Sequence, residues 1–231
     1  MKVSICIPTY DSDGSNLHLL NKNIESCLSQ DYTDYEIIVS DHSPGDNVKN
    51  LINKFRSDKI TYIKNTNNVG YPAYNTNNAI LNSSGEFIKI MNQDDYFNND
   101  SVLTNMMLLT KTHKWVLNSF THLKSGTDMF YNPIIPRING NGIHLLDGVN
   151  TIGCPSVGLI PKGELIDVDV IYMIDCELWY RLFIKYGDPG IVNDHNIIIV
   201  MGEHNLSTKL SNDSHSMIQK DKKYCYKKYN L

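Results

Sequence analysis

Four carboxylates stand where side chains could do chemistry. Asp94 and Asp95 are adjacent in Asn92-Gln93-Asp94-Asp95, directly after an apolar run. Two charges so close repel each other unless a cation or hydrogen-bond donors compensate. A hard divalent ion such as Mg²⁺ or Mn²⁺ takes carboxylate oxygens and shares its remaining positions with phosphate. The plainer role is a cap on the helix that begins near Asn99. Asp41, in Asp41-His42-Ser43, follows a second apolar run; such an Asp either closes an Asx turn or accepts a hydrogen bond from a nucleobase or ribose. Asp175 opens an apolar stretch carrying Trp179. There it either complements a helix dipole or serves as a general base within reach of a substrate hydroxyl.

These residues need elements to hold them. Val3, Ile5 and Ile7 form a buried strand that stops at Pro8. Leu17, Leu20, Ile24, Cys27 and Leu28 recur at helical spacing. Strand Glu36–Ser40, a helix over Val48–Phe55, strand Ile60–Ile63, a helix over Ala73–Leu81 and strand Phe87–Met91 follow. Strands separated by helices predict an α/β fold with a mostly parallel central sheet flanked by helices. Ligands of such sheets bind beyond the carboxyl ends of the strands, so Thr9-Tyr10-Asp11, Asp41-His42-Ser43 and Asn92–Asp95 should share one rim. Later come a helix over Val102–Leu109, strand Trp115–Phe120, an irregular segment Gly126–Asn150, a buried helix Cys176–Ile184 and strand Ile197–Met201. With 231 residues, no internal repeat and no long linker, one domain is expected.

A net charge of -4 argues against a nucleic-acid-binding surface. No stretch approaches the roughly 20 apolar residues of a membrane span, and the N-terminal run is too short for a signal peptide. A cytoplasmic protein is expected. Five scattered cysteines without a Cys-x-x-Cys pair read as buried thiols. The tail, Lys220 to Tyr229, interleaves bases with aromatics. It reads either as a terminal helix whose tyrosines pack on the body, or as peripheral contact with the inner face of an anionic membrane.

Taken in order, the pieces resemble family 2 inverting glycosyltransferases of the GT-A fold. Val3–Tyr10, Ser29-Gln30-Asp31-Tyr32, Glu36–Asp41, Asn68-Val69-Gly70, Ser84–Ile88, Gln93-Asp94-Asp95, Asp175–Leu182 and Gly202–Ser207 carry the resemblance, over about residues 3–208. It implies a glycosyltransferase domain over 1–210, with a nucleotide-binding half to about 100 and an acceptor-binding half beyond, followed by the tail 211–231. It implies that Pro8, Thr9, Tyr10, Asp11, Asp41 and Asp94 bind the nucleotide, that Asp95 with His204 holds Mn²⁺ or Mg²⁺, and that Asp175 is the catalytic base. The implied reaction moves one sugar from a nucleoside-diphosphate sugar, UDP-linked, to a hydroxyl of a glycan or lipid-linked acceptor in surface polysaccharide synthesis. Three positions depart from the pattern: Asn92 replaces an acid, Tyr74 a base and Ile174 an acid. The Gln-x-x-Arg-Trp motif of processive synthases is absent, which fits single-sugar transfer. A non-catalytic nucleotide-sugar-binding module is the alternative those departures leave. A sugar-1-phosphate nucleotidyltransferase needs a Gly-rich basic loop after the first strand, and Ile7-Pro8-Thr9-Tyr10-Asp11 offers none.

Overall fold

The computed structural model describes residues 1–203, 205 and 213–231. Strand β1 (Val3–Thr9) lies at the centre of a parallel half-sheet, flanked by β2 (Tyr35–Asp41) and β4 (Phe87–Ile90), with β3 (Ile60–Lys64) outside β2. The crossovers are α1 (Leu17–Leu28), α2 (Asn47–Phe55) and α3 (Pro72–Leu81). Val3, Ile5 and Ile7 are wholly enclosed, as a central strand covered on both faces must be. Gly85 is required by close approach: a Cβ there would sit 2.7 Å from the Ser4 nitrogen. Its own N–H donates to Ser4 Oγ. The predicted strands and helices of this half are all present.

Beyond β4 the sheet becomes mixed. Among the described residues the order continues from β4 through β8 (Gly158–Pro161), β6 (Val116–Lys124), β9 (Gly190–Met201) and β5 (Tyr96–Phe97), and β7 (Phe130–Ile134) also pairs with β6. Here β8 runs antiparallel to both β4 and β6, while β6 and β9 are parallel. The two-residue β5 pairs with β9, and α4 (Val102–Leu109) follows it. The segment expected to be irregular holds β7 and a short helix α5 (Ile143–Leu146). Strand β9 starts seven residues earlier than its apolar run, because a bulge around Asp194–Asn196 admits polar residues to the ladder.

Helix α6 (Ile174–Tyr186) buries Trp179, which stacks on Trp115 at 6.0 Å. The terminal helix α7 (Ser214–Tyr229) packs against it. Tyr229 and Lys228 both donate to the enclosed Glu177, Tyr224 donates to Asp167 and Tyr226 to Asp147. The aromatics of the tail thus turn inward, as the packed terminal-helix reading expects, while Lys220, Lys223 and Lys227 remain exposed. Among the described residues no helix is long and apolar enough to cross a membrane.

Candidate active site

The carboxyl ends of β1 and β2 are fastened by one buried amide. Asn75 Nδ2 donates to the carbonyls of Thr9 and Ser40, and its Oδ1 accepts from Ser40 Oγ and Asn65 Nδ2. Asp41 is fully enclosed: Tyr62 and Lys64 donate to Oδ2 at 2.7 and 3.1 Å, and the Ser43 N–H donates to Oδ1 at 2.8 Å. Reading a base would require exchanging one of these partners. Asp11 is also buried; it accepts from the N–H groups of Gly14 and Asn16 and so shapes the loop into α1. Pro8 is half-buried, Thr9 is enclosed and Tyr10 is half exposed. Tyr10 is held by its backbone: its N–H donates to Gln93 Oε1 at 2.8 Å, and Gln93 Nε2 donates back to its carbonyl at 3.1 Å. That pair joins the β1 loop to the Asp94-Asp95 turn.

The two adjacent acids divide their work. Asp95 is buried, and its Oδ2 accepts from Ser156 Oγ at 2.5 Å, Asn92 Nδ2 at 3.1 Å and Cys154 Sγ at 3.5 Å, while Oδ1 accepts from the Val200 N–H. Burial first, and the neighbouring Asp94 next, push its carboxyl well above the ordinary range. Lys89, fully buried behind it, donates to the Ser156 carbonyl and has its own pKa lowered by burial to about 8. Asp94 is half-buried and accepts from Asn205 Nδ2 at 2.9 Å. The expected direct ligand, Asp95, therefore has its oxygens engaged by protein donors, and Asp94 is the more accessible acid. Asn92 donates to Asp95 where another carboxylate would repel it.

Asp175 lies in the first turn of α6 and accepts from Asn150 Nδ2 at 3.2 Å. Burial raises its carboxyl to about 6. Asn150 Nδ2 and Trp179 Nε1 both donate to the Gly153 carbonyl, so the 150–156 loop ties the start of α6 to Asp95 through Cys154 and Ser156. Gly153 needs its φ of +121, and a Cβ would fall 2.8 Å from the Phe120 ring. Burial, then the charges of Asp95 and of Asp175, raise the Cys154 thiol. One run of contacts thus links Asp41, Thr9, Tyr10, Gln93, the Asp94-Asp95 pair and Asp175.

His204, expected beside the metal, lies outside the described residues. Among the described residues no three His, Cys, Asp or Glu side chains converge as a metal cage. Of the two acids, Asp94 is the one whose side chain is not enclosed, so it is the carboxylate that fits an ion completing its shell with other oxygens. Sequence reasoning missed Gln93 as a backbone clamp, Asn150, Ser156 and Lys89 as supports, and Asp221. The last is a buried acid of α7 whose carboxylate accepts from the N–H groups of Ile171, Tyr172 and Met173, just ahead of α6. Only the motif Gln93-Asp94-Asp95 carried a local signal; the others act across the fold.

Solved structures with this architecture include Staphylococcus aureus TarS 1–349 in complex with UDP-GlcNAc (TM-score 0.68, 16% identity, 94% of this chain and 64% of that one). Another is the mannosyltransferase PcManGT of Pyrobaculum calidifontis in complex with GDP-Man and Mn²⁺ (TM-score 0.62, 15% identity, 93% of this chain and 60% of that one). These likenesses define the class: an α/β single domain of GT-A type. Residues 4–156 match the model of glycosyl transferase family 2, and the chain belongs to that family. It is 32% identical to an Escherichia coli enzyme, UDP-Glc:alpha-D-GlcNAc-diphosphoundecaprenol beta-1,3-glucosyltransferase WfaP, over 79% of this chain and 70% of that one. It is also 32% identical to the GalNAc(5)-diNAcBac-PP-undecaprenol beta-1,3-glucosyltransferase of Campylobacter jejuni, over 54% of this chain and 40% of that one. The chain thus matches 40% of the Campylobacter enzyme's length.

Proposed function

We propose that this chain is an inverting glycosyltransferase that moves a single sugar from a UDP-sugar to a hydroxyl of a lipid-linked acceptor. The observation that carries the reading is the continuous set of contacts from Asp41 and Tyr10 through Asp94-Asp95 to Asp175. It sets a rim suited to a nucleotide diphosphate beside a half-buried carboxylate on a separate element. UDP is favoured by the relatives and neighbours named with it.

Each residue then has a task. Residues to about 100 supply the nucleotide rim, with Pro8 to Asp11 and Asp41 shaping it and Gln93 fixing the Tyr10 backbone against it. Asp94, backed by Asp95, offers the carboxylate that would hold Mg²⁺ or Mn²⁺. When bound, such an ion neutralises charge growing on the departing diphosphate. Asp175 takes the proton of the acceptor hydroxyl as that oxygen attacks the anomeric carbon; the Asn150 amide holds the carboxylate in position. A base with a pKa near 6 is mostly ionised at neutral pH and still accepts a proton readily. One displacement inverts the anomeric centre, so no second nucleophile is needed. Proton NMR of the product formed from UDP-glucose and an N-acetylglucosaminyl-diphosphate lipid tests this: a β-linked product is expected, and an α-linked one overturns inversion.

A further inference from the structure

Beside Asn150 and Cys154 opens a cleft of about 710 Å³, walled by β6, β7, β9 and the 150–154 loop. Arg137, His122 and His195 are among its lining residues, and no Asp or Glu is. Arg137 is the one fixed charge among those lining side chains, in a chain whose net charge is -4 with its histidines neutral.

The backbone goes out of its way to place these groups. Strand β6 loses register with two of its neighbours on either side of Phe120: with β9 between Asn118 and Phe120, and with β7 between Phe120 and His122. Each neighbour carries a non-glycine residue in the left-handed region there, His195 at φ 54 and Asn132 at φ 52. Bulges re-aim side chains, and left-handed non-glycine residues persist only where surroundings enforce them. The His195 N–H donates to Ser119 Oγ at 2.7 Å. His122 stacks on Tyr131 at 5.4 Å and meets Phe120 edge-on at 5.3 Å. Arg137 is pinned to Thr151 through its N–H and its carbonyl, and among the described residues its guanidinium forms no ion pair. Met129, Phe130, Tyr131 and Ile135, in and beside β7, are exposed apolar side chains, and Ile135 also lines the cleft.

We propose that the cleft holds the phosphate of a phosphate-linked lipid acceptor. Arg137, His122 and His195 take the phosphate or diphosphate, and the β7 strip takes the lipid chain. This rests on the glycosyltransferase reading only for the fate of the acceptor: its sugar hydroxyl is presented at the Asn150 end, where Asp175 stands. A guanidinium fork suits phosphate oxygens. A phosphate polymer would use the three bases and leave the strip idle; the strip favours the lipid.

The test is NMR titration of the full chain, with UDP and Mg²⁺ present to occupy the nucleotide rim. The probes are decyl diphosphate below its micellar concentration, inorganic diphosphate and decyl glucoside. Decyl diphosphate should shift the His122 and His195 ring signals and the Met129 methyl together, and bind at least tenfold more tightly than either other probe. Arg137→Ala should weaken it about tenfold and Arg137→Lys by less. Met129→Asp should weaken decyl diphosphate and leave inorganic diphosphate unchanged. Equal affinity for inorganic and decyl diphosphate would overturn the lipid assignment in favour of a polymer phosphate. Equal affinity for decyl glucoside would overturn the anion assignment, and unmoved histidines would reject the site. Failure of UDP itself to bind strikes the nucleotide reading alone, since the histidine signals report the cleft with or without it.

Discussion

Replacing Asp175 by Asn should make the protein slower and sturdier together. Burial lifts this carboxyl from 3.8 to about 6. At about 1.4 kcal/mol per pH unit, holding it ionised in the folded state costs about 3 kcal/mol at most. The side chain is only half-buried, so solvent screening leaves about 1–2 kcal/mol. The sign follows from proton binding. The folded form holds its proton up to a higher pH than the unfolded chain, so the cost is full above about pH 6, fades between 6 and 4, and vanishes below. Asn never carries the charge and can still accept from Asn150 through its Oδ1. Differential scanning calorimetry of Asp175→Asn at pH 7.5 should show a Tm gain of about 2–8 °C, shrinking to about a third of that near pH 4.5 and toward zero below about pH 4. Transfer measured on the same samples should fall by about 10²–10⁴-fold. Wild-type turnover should drop roughly tenfold per pH unit below about 6, as the base takes up its proton. A Tm gain that is the same at all pH values would refute the burial argument. Turnover within about fivefold of wild type would refute the assignment of the base.

Three further substitutions probe the supports. Asp41→Ala removes the partner of Lys64, Tyr62 and the Ser43 N–H. Urea unfolding should show a loss of about 2–4 kcal/mol, and Asp41→Asn a smaller one. Asp221→Ala strips three N–H groups ahead of α6 of their acceptor. Amide exchange at Ile171 to Met173 should quicken, stability should fall by about 2–3 kcal/mol, and kcat should drop with donor KM unmoved. Gly153→Ala forces a side chain into a φ of +121 and against Phe120. A loss of about 2 kcal/mol or more is expected in thermal denaturation, with activity falling alongside because this loop spans the two acids.

The half of the molecule up to Met91 was legible because β1, β2 and β4 are largely buried and rich in β-branched residues, β3 at the edge keeps isoleucines at both ends of a short run, and helical periodicity lies between. The acids followed from that topology, since each stands just past a strand end. After Asp95 the code weakens. Strand β9 carries Asn193, Asp194, His195 and Asn196 through a bulge, so its first half looks like loop. Strand β7 is short and exposed, and β5 has only two residues. Lys89 alternates with isoleucines and gives no hint that it is wholly buried behind Asp95. The partners of Asp221 and Gln93 lie 48 and 83 residues away, beyond any local pattern. The division between Asp94 and Asp95 depends on Ser156 and Val200, which only the folded chain brings to the second acid.

On the proposed function, Asp94 and Asp175 serve one bound donor from two sides. A crystal structure of the chain with UDP and Mn²⁺, read by anomalous scattering, tests it most directly. A manganese peak within coordination distance of both the diphosphate and Asp94, with the Asp175 carboxylate facing the space beyond the diphosphate, is the predicted result. UDP bound away from the Asp94-Asp95 turn, or Asp175 shut off from the diphosphate by protein, would contradict it.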